Sequence, residues 1–435
     1  MSYQATDFID FVRRAPTAFH AVSEMSRMLE NAGFARLNEC EAWQLAPGGR
    51  YYLTRNGSAL LALRVPEGGF APFQIVSSHS DSPAFKLKPL AENEACGKYV
   101  RLNVERYGGM IMSTWLDRPL SIAGRAVVED ETGLHSRLVD FGHDAALIPN
   151  MPIHFNRDIN SGYNFNAQVD MIPLYGDETA GGRLAQEVAA CCGAKPEQIV
   201  ASDLFLYNRV PGSVWGANNE YFSSGRIDDL ECAYTSLCAF LEAAPQANTQ
   251  VFAMFDNEEV GSSSKHGADS TLLGDVFHRV AAALGATDAQ ARAAMAASFM
   301  VSADNAHAVH PNHPETYDAQ NRTFMNRGVV IKHSANQKYT TDAVSDAIFS
   351  RICERAGVPV QHFANRSDLL GGSTLGSIAN TQVSMNTVDI GLAQLAMHSA
   401  YETAGTKDVT YMIDALRAFY QTRIEICGDG EFHLG

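Results

Sequence analysis

Five short segments of this sequence carry imidazole and carboxylate side chains, the groups that bind metal ions. In chain order they contain His79-Ser80-Asp81, Asp228-Asp229, Glu258-Glu259, Asp304 with His307 and His310 close behind, and His398. Two zinc ions that share one carboxylate and one water need about this set of donors, with three protein ligands for each ion. The five segments together therefore predict a two-metal hydrolytic centre more strongly than any one of them does alone.

Taken singly, most of these segments have an ordinary structural explanation. An Asp just after a strand can cap the backbone, and Asp228 or Asp229 can be the N-cap of the helix that follows. A lone histidine after an apolar stretch, such as His398, is more often structural than catalytic. His307 and His310 can be metal ligands, substrate contacts or satisfied structural groups.

The strongest single segment is the acidic pair Glu258-Glu259, which follows the apolar run 250–255 and precedes a glycine. Adjacent side chains of an extended chain point in opposite directions. One glutamate can therefore bind a metal while the other activates a water. In a similar way, Asp81 can orient the ring of His79 and leave its second nitrogen for the metal.

The apolar pattern along the chain predicts an α/β fold that brings these segments together. Short apolar runs indicate buried strands, and longer amphipathic stretches indicate helices. The predicted strands are residues 59–65, 73–77, 250–255, 298–303 and 329–332. The predicted helices are one capped by Thr17 and those at 228–244, 341–356 and 408–422. The candidate residues lie after strands or at helix edges, where open α/β sheets form their sites.

The middle of the chain has a different pattern from about residue 91 to 220. Its apolar runs are short and broken by turn residues, with weak helical periodicity before residue 183. This pattern predicts a mostly β insertion. The resulting division is a catalytic domain of residues 1–91 and 219–435, interrupted by an inserted domain of residues 92–218.

The composition limits the kinds of partner. The sequence has 49 acidic and 33 basic residues, a formal net charge of −16. Such a charge repels phosphate backbones and argues against nucleic-acid binding and against a metallonuclease. No apolar run approaches the roughly 20 residues that span a bilayer, and the N-terminal stretch is unlike a secretory signal. The eight cysteines form no C-x-x-C pair, so we expect reduced thiols in a soluble, cytoplasmic enzyme with no membrane association.

The order and spacing of seven motifs resemble the aspartyl aminopeptidase family over about residues 5–425. The motifs are HSDSPAFKLKP, IDDL, FDNEEVGS, SADNAHAVHPN, GVVIKHSANQKY, GGSTLGSI and DIGLAQLAMHSAYETAG. The resemblance implies a zinc-exopeptidase-like catalytic domain, with helices around a mixed central sheet, interrupted by a β-rich dimerisation domain. It also implies an aminopeptidase that prefers an N-terminal Asp or Glu on its peptide substrates. Such enzymes assemble as closed homo-oligomers, often dodecamers built from dimers.

The same resemblance implies roles for individual residues. The implied zinc ligands are His79, Asp228, Glu259, Asp304 and His398, with Asp228 as the bridge between two ions. The implied catalytic residues are Glu258, as general base, and Asp81, which supports a zinc-binding histidine. The implied substrate contacts are His154, His310, Lys332 and Tyr339, of which His154 reaches a neighbouring subunit. The family usually has Asp-Asn at the position of Asp228-Asp229, so the second carboxylate is a departure from its pattern.

Two other interpretations fit the same residues. A related di-zinc amide hydrolase, such as a deacylase or a carboxypeptidase, uses a similar ligand set but does not need a free N-terminus on its substrate. A metal-binding scaffold without catalysis is the second alternative, although a scaffold has no use for Glu258. Cobalt or manganese also accept carboxylate and imidazole ligands, so two zinc ions per chain are the prediction and these metals the alternative.

Overall fold

A computed structural model describes residues 3–435 of the chain. Helices and strands alternate through most of it, as the apolar pattern predicts. The helices of the described residues are α1 (Ala5–Arg14), α2 (Ala18–Asn31), α3 (Arg183–Cys192), α4 (Ile227–Glu242), α5 (Leu272–Ala283), α6 (Asp288–Ala296), α7 (Ala343–Ala356), α8 (Leu375–Gln382) and α9 (Asp408–Gln421). Short 3-10 turns lie at Met112–Trp115, Pro196–Gln198, Glu258–Val260 and Pro314–Thr316.

The strands of the described residues form four sheets. In chain order they are β1 (Ala35–Arg36), β2 (Arg50–Arg55), β3 (Ala59–Arg64), β4 (Phe73–His79), β5 (Ala84–Ala95), β6 (Tyr99–Tyr107), β7 (Leu120–Asp130), β8 (Gly133–Asp140), β9 (Leu174–Asp177), β10 (Ile199–Asn208), β11 (Ser213–Trp215), β12 (Tyr221–Ser224), β13 (Thr249–Phe255), β14 (Phe299–Ala303), β15 (Ala306–His307), β16 (Val329–His333), β17 (Val360–Ala364), β18 (Asn386–Gly391), β19 (Ala393–Leu395), β20 (Glu402–Gly405), β21 (Ile424–Gly428) and β22 (Glu431–Leu434).

The central sheet has nine strands in the order β1-β2-β3-β13-β4-β14-β18-β16-β17. The neighbouring strands β13, β4, β14 and β18 run parallel, whereas β3 runs antiparallel to β13 and β16 runs antiparallel to β18. Helices cover both faces because the strands are apolar on both. Val76 of β4 joins a core with α4 and α9, and its neighbour Ile75 joins a second core with α5 and α8. The observed fold is therefore an α/β arrangement with a mixed sheet between helices, as the sequence predicts.

A second sheet, of six antiparallel strands, forms the β-rich middle of the chain in the order β8-β7-β10-β5-β6-β9. It has its own hydrophobic core, in which the Phe85 and Trp115 rings meet edge to face at 5.3 Å. Helix α3 packs on this core through Leu184 and Val188. The strands of this sheet lie between residues 84 and 208, and the division of the chain at residues 92 and 218 remains a prediction.

Two smaller sheets complete the fold. Five strands in the order β11-β12-β20-β19-β15 bring the segment before α4 against the segments that follow β14 and β18. Strands β21 and β22 form a separate hairpin near the C-terminus. Among residues 3–435, helices that are both long and apolar enough to cross a bilayer are absent.

The predicted elements of the α/β domain are confirmed, each to within about two residues of its predicted bounds. The predicted strands are β3, β4, β13, β14 and β16, and the predicted helices are α2, α4, α7 and α9. One local detail differs. Thr17 occupies the N-cap position of α2, but its hydroxyl lies 2.9 Å from the His20 ring nitrogen and makes no capping bond to the backbone.

Candidate metal centre

The candidate metal ligands meet at one edge of the central sheet. His79 is the last residue of β4, the pair Glu258-Glu259 follows β13, and Asp304 follows β14. These three strands are parallel neighbours, so their carboxyl ends lie at the same edge. Asp228, in the first turn of α4, and His398, between β19 and β20, approach this edge from the smaller five-stranded sheet.

Asp228 lies between two imidazole rings. Its Oδ1 is 3.5 Å from Nε2 of His79, and its Oδ2 is 3.5 Å from Nε2 of His398. His398 Nε2 is also 3.3 Å from Oε1 of Glu259. Two groups of ligand atoms, each within 4.8 Å, therefore share Asp228: His79, Asp228, Asp229 and Asp304 in one, and Asp228, Glu259 and His398 in the other.

The charges and burial of these side chains favour the binding of cations. Within residues 3–435, Oδ1 of Asp228 and Oε1 of Glu259 are buried and accept no hydrogen bond, a costly state for a carboxylate without a cation. Burial raises the pKa of Glu258 to about 9 and that of Glu259 to about 7. Burial alone would lower the pKa of His398, but the neighbouring carboxylates of Asp228 and Glu259 raise it to about 11. Nitrogen and oxygen donors at this spacing suit zinc.

Asp81 connects the first histidine to the acidic pair. Its carboxylate lies 3.4 Å and its carbonyl oxygen 3.1 Å from Nδ1 of His79, so Nε2 is left to face the cluster. The same carboxylate accepts the backbone N–H groups of Glu258 and Glu259, at 3.1 and 3.2 Å. The hydroxyl of Tyr107, from β6 of the inserted sheet, donates to it at 2.6 Å. Asp81 therefore positions three of the candidate residues at once.

The two adjacent aspartates face different partners. The peptide bond between Asp228 and Asp229 is cis. The carboxylate of Asp229 accepts the backbone N–H groups of His79 and Asn305, at 3.1 and 3.2 Å. Asp228, in contrast, turns its carboxylate toward the two histidine rings.

Glu402 is a residue of the site that the sequence analysis did not identify. It is buried in β20, and its Oε2 accepts the backbone N–H groups of Ile227 and Asp228, at 2.7 and 3.1 Å. Its Oε1 accepts the N–H of His398 at 2.8 Å. Burial raises the pKa of Glu402 to about 8. The only signal in the sequence is a single acidic residue in a weakly polar stretch, which does not reveal these partners.

Two of the predicted substrate contacts lie in the wall of the centre. Lys332 is buried, and its ammonium donates to the carbonyl oxygens of Asp304 and Asn305, at 2.8 and 3.2 Å. It lies 3.7 Å from the Asp304 carboxylate. The ring of Tyr339, also buried, is centred 5.4 Å from this ammonium, and burial raises the pKa of its phenol.

The other two predicted substrate contacts lie apart from the cluster in the single chain. His154 is exposed on a loop of the insertion. Nδ1 of His310 accepts the backbone N–H of Asn312 at 3.2 Å, a local turn contact. Neither histidine belongs to a group of converging ligand atoms in the part of the chain that the structure describes.

The chain is similar to known proteins over nearly its whole length. The family model described as "Aminopeptidase I zinc metalloprotease (M18)" matches residues 11–420. A protein of Clostridium novyi described as "Probable M18 family aminopeptidase 2" is 42% identical over 424 residues, which is 96% of this chain and 98% of the relative. One of the same description from Pseudomonas aeruginosa is 41% identical over 422 residues, 95% of this chain and 96% of the relative.

Solved structures are similar over the same length. The crystal structure of yeast aminopeptidase 1 (Ape1) matches with a TM-score of 0.85 at 28% identity, and the match covers 96% of each chain. A chain in the cryo-EM structure of the Ape4 and Nbr1 complex matches with a TM-score of 0.93 at 34% identity. That match covers 96% of this chain and 85% of the other.

Proposed function

Since this chain belongs to the M18 family of zinc aminopeptidases, we propose that it is a two-zinc enzyme that removes an N-terminal Asp or Glu from peptides. The observation that carries the proposal is the pair of ligand groups sharing Asp228, with Glu258 beside them. A blocked N-terminus tests the reaction class, because a deacylase or a carboxypeptidase does not need a free amine. We expect N-acetylation to abolish cleavage of an Asp-initiated peptide, and unchanged cleavage would contradict aminopeptidase action.

The proposed ligands divide between two ions. His79 and Asp304 would hold one zinc, Glu259 and His398 would hold the other, and Asp228 would be the ligand shared by both. The distances of 3.5 Å from each Asp228 oxygen to a different histidine support the bridge. The two backbone N–H bonds accepted by Asp229 support a positioning role for that second carboxylate.

The proposed chemistry is hydrolysis of the first peptide bond by water. When bound, the zinc ions supply Lewis-acid chemistry, which activates water and polarises the carbonyl. Glu258 takes the proton of the attacking water and later passes it to the departing amine. Its backbone N–H bond to Asp81 fixes its place beside the cluster. The phenol of Tyr339 donates to the carbonyl oxygen as negative charge develops there.

The proposed preference for Asp or Glu depends on a cation at the first side chain, and Lys332 supplies it. An ammonium has three N–H donors, and two of them are used by the backbone carbonyls of Asp304 and Asn305. The Asp304 carboxylate lies 3.7 Å from the ammonium, beyond hydrogen-bond distance, and we propose that the third N–H donates to a substrate carboxylate. A hydrogen bond between the Lys332 ammonium and a substrate carboxylate is charge-assisted, and such a bond is stronger than one between neutral groups.

Replacement of Lys332 is expected to remove this preference. We expect Lys332→Met to lower the ratio of kcat/KM for Asp-initiated over Ala-initiated peptides by about 10- to 100-fold, since a hydrogen bond to a charged group contributes about 1.5–3 kcal/mol. The measurement is a peptide panel that varies the first residue alone. Lys338→Met, an exposed lysine of the same segment, is the matched control. An unchanged ratio in Lys332→Met would place the selecting cation elsewhere.

Zinc affinity is expected to fall as the pH is lowered. Without metal, the pKa of His398 is about 11 and that of Glu259 about 7, so His398 is protonated at neutral pH and Glu259 becomes so below pH 7. Zinc requires both groups deprotonated. We therefore expect the affinity to fall at least tenfold per pH unit from pH 8 to 7, and more steeply below 7. Titration calorimetry with a competing chelator measures this slope, and a pH-independent affinity would contradict it.

We also propose that the chain assembles through its insertion. The S. cerevisiae mApe1 structure, 28% identical with a TM-score of 0.85, is a dodecamer. The insertion and its start expose large apolar side chains, with Leu90 at 87%, Phe155 at 82% and Val169 at 70% exposure. His154 lies beside Phe155 and, in the proposed dimer, reaches the partner's metal centre.

A cytoplasmic location is part of the same proposal, supported by eight cysteines that are all free in the described structure.

A further inference from the structure

A second cluster of metal-ligand side chains lies at the far edge of the central sheet. His333 ends β16, and His362 lies in the edge strand β17. These strands are parallel, with His333 beside Ala364 and Ile331 beside His362, so both histidines point to the same face. Asp346, in the first turn of α7, faces them. The cluster therefore joins two strands and a helix.

The three side chains converge on one point. Nε2 of His333 lies 3.1 Å from Nδ1 of His362. Oδ2 of Asp346 lies 3.6 Å from the first nitrogen and 3.7 Å from the second. Both carboxylate distances exceed the roughly 2.7–3.2 Å of a hydrogen bond. The carboxylate is thus within ion-pair distance of both rings but hydrogen-bonded to neither, whereas the two ring nitrogens lie within hydrogen-bond distance of each other.

This spacing matches the ligand shell of a zinc ion. Donors at about 2.0–2.1 Å in a tetrahedral shell lie about 3.3 Å from one another, and the three observed separations of 3.1, 3.6 and 3.7 Å lie around that value. We propose that His333, Asp346 and His362 bind a further zinc ion, distinct from the two proposed at the catalytic centre.

The surroundings indicate a structural role for this ion. The three side chains are partly exposed, at 34%, 23% and 46% for His333, Asp346 and His362, so water can fill a fourth coordination position. Oδ1 of Asp346 accepts the hydroxyl of Ser350 at 2.8 Å, which leaves Oδ2 for the metal. A zinc ion here fastens the edge strand β17 to β16 and to α7. Lys332, the neighbour of His333 in β16, points to the opposite face, toward the catalytic centre.

The test is the zinc content per chain. After equilibrium dialysis against zinc chloride at pH 7.5, we expect His362→Asn to hold one zinc per chain fewer than the wild type, measured by mass spectrometry of the metal. His433→Asn is the matched control, because that exposed histidine also lies near a carboxylate, 3.6 Å from Glu431, but has no third ligand among the described residues. It should keep the wild-type content. Equal zinc in the wild type and in His362→Asn would overturn the proposal.

Asp346→Asn provides a second, independent variant. The amide keeps the oxygen that accepts the Ser350 hydroxyl but loses the charge, so we expect the same loss of one zinc. Circular dichroism confirms that each variant is folded. The prediction is a difference between variants, so it stands whether the catalytic centre binds two ions or another number. Anomalous diffraction from zinc-soaked crystals of the wild type should show a zinc peak between β16, β17 and α7. A peak found only at the Asp228 cluster would contradict the proposed site.

Discussion

Glu258→Gln is expected to retain its zinc and to lose about three orders of magnitude in kcat. General acid–base catalysis contributes typically about 10²–10⁴-fold. The substitution keeps the size of the side chain but removes the group that accepts the proton of water. Glu258 is not required as a ligand in the proposed set, so the metal content should not change. Steady-state assays on an Asp-initiated peptide, together with the zinc content per chain, measure both quantities.

The two readouts separate the possible errors in this assignment. Activity close to that of the wild type would mean that another group is the base. Loss of zinc together with activity would mean that Glu258 is a ligand. Glu197→Gln, at an exposed position of the insertion, is the control for a Glu-to-Gln change and should match the wild type in both measurements.

Changes at Asp228 and His398 are expected to remove different numbers of zinc ions. In the proposed arrangement Asp228 contacts both ions, so Asp228→Asn should release both, because a neutral amide is a far weaker zinc ligand than a carboxylate. His398 contacts one ion, so His398→Ala should release one. We expect kcat to fall at least a thousandfold in each variant. Zinc content after dialysis in a common buffer gives the two counts.

Two controls accompany these variants. Asp288→Asn changes an exposed aspartate that pairs with Arg292 on the same helix, and His433→Asn changes an exposed histidine. Both should keep the wild-type zinc content. Full zinc content in Asp228→Asn would exclude the bridge, and loss of both ions in His398→Ala would mean that the two sites are not separate.

The positions of His79, Glu259 and Asp304 at one edge of the sheet could be predicted from the sequence because their signal is local. Each of the runs ending near His79, Phe255 and Ala303 is short, apolar and followed by metal-binding residue types. Buried strands of this kind are common in parallel sheets, and parallel strands end at the same edge. The central strands and helices followed from the same periodicity.

The supporting contacts could not be predicted because they join distant segments. Glu402 accepts the backbone N–H of Ile227, which lies 175 residues earlier in the chain. The role of Asp229 depends likewise on backbone groups of His79 and Asn305. A sequence pattern reports the type of a side chain and its face, but not which remote backbone group it meets.

The hydrogen bond from Tyr107 to Asp81 has a consequence for protein engineering. It joins the six-stranded sheet to the candidate metal centre, so this sheet helps to position that centre. A shortened hydrolase built without residues 92–218 would lose the phenol that steadies Asp81 and, through it, the loop bearing Glu258 and Glu259. Any shortened version of this enzyme that lacks residues 92–218 therefore needs another hydrogen-bond donor to the Asp81 carboxylate in place of the Tyr107 hydroxyl.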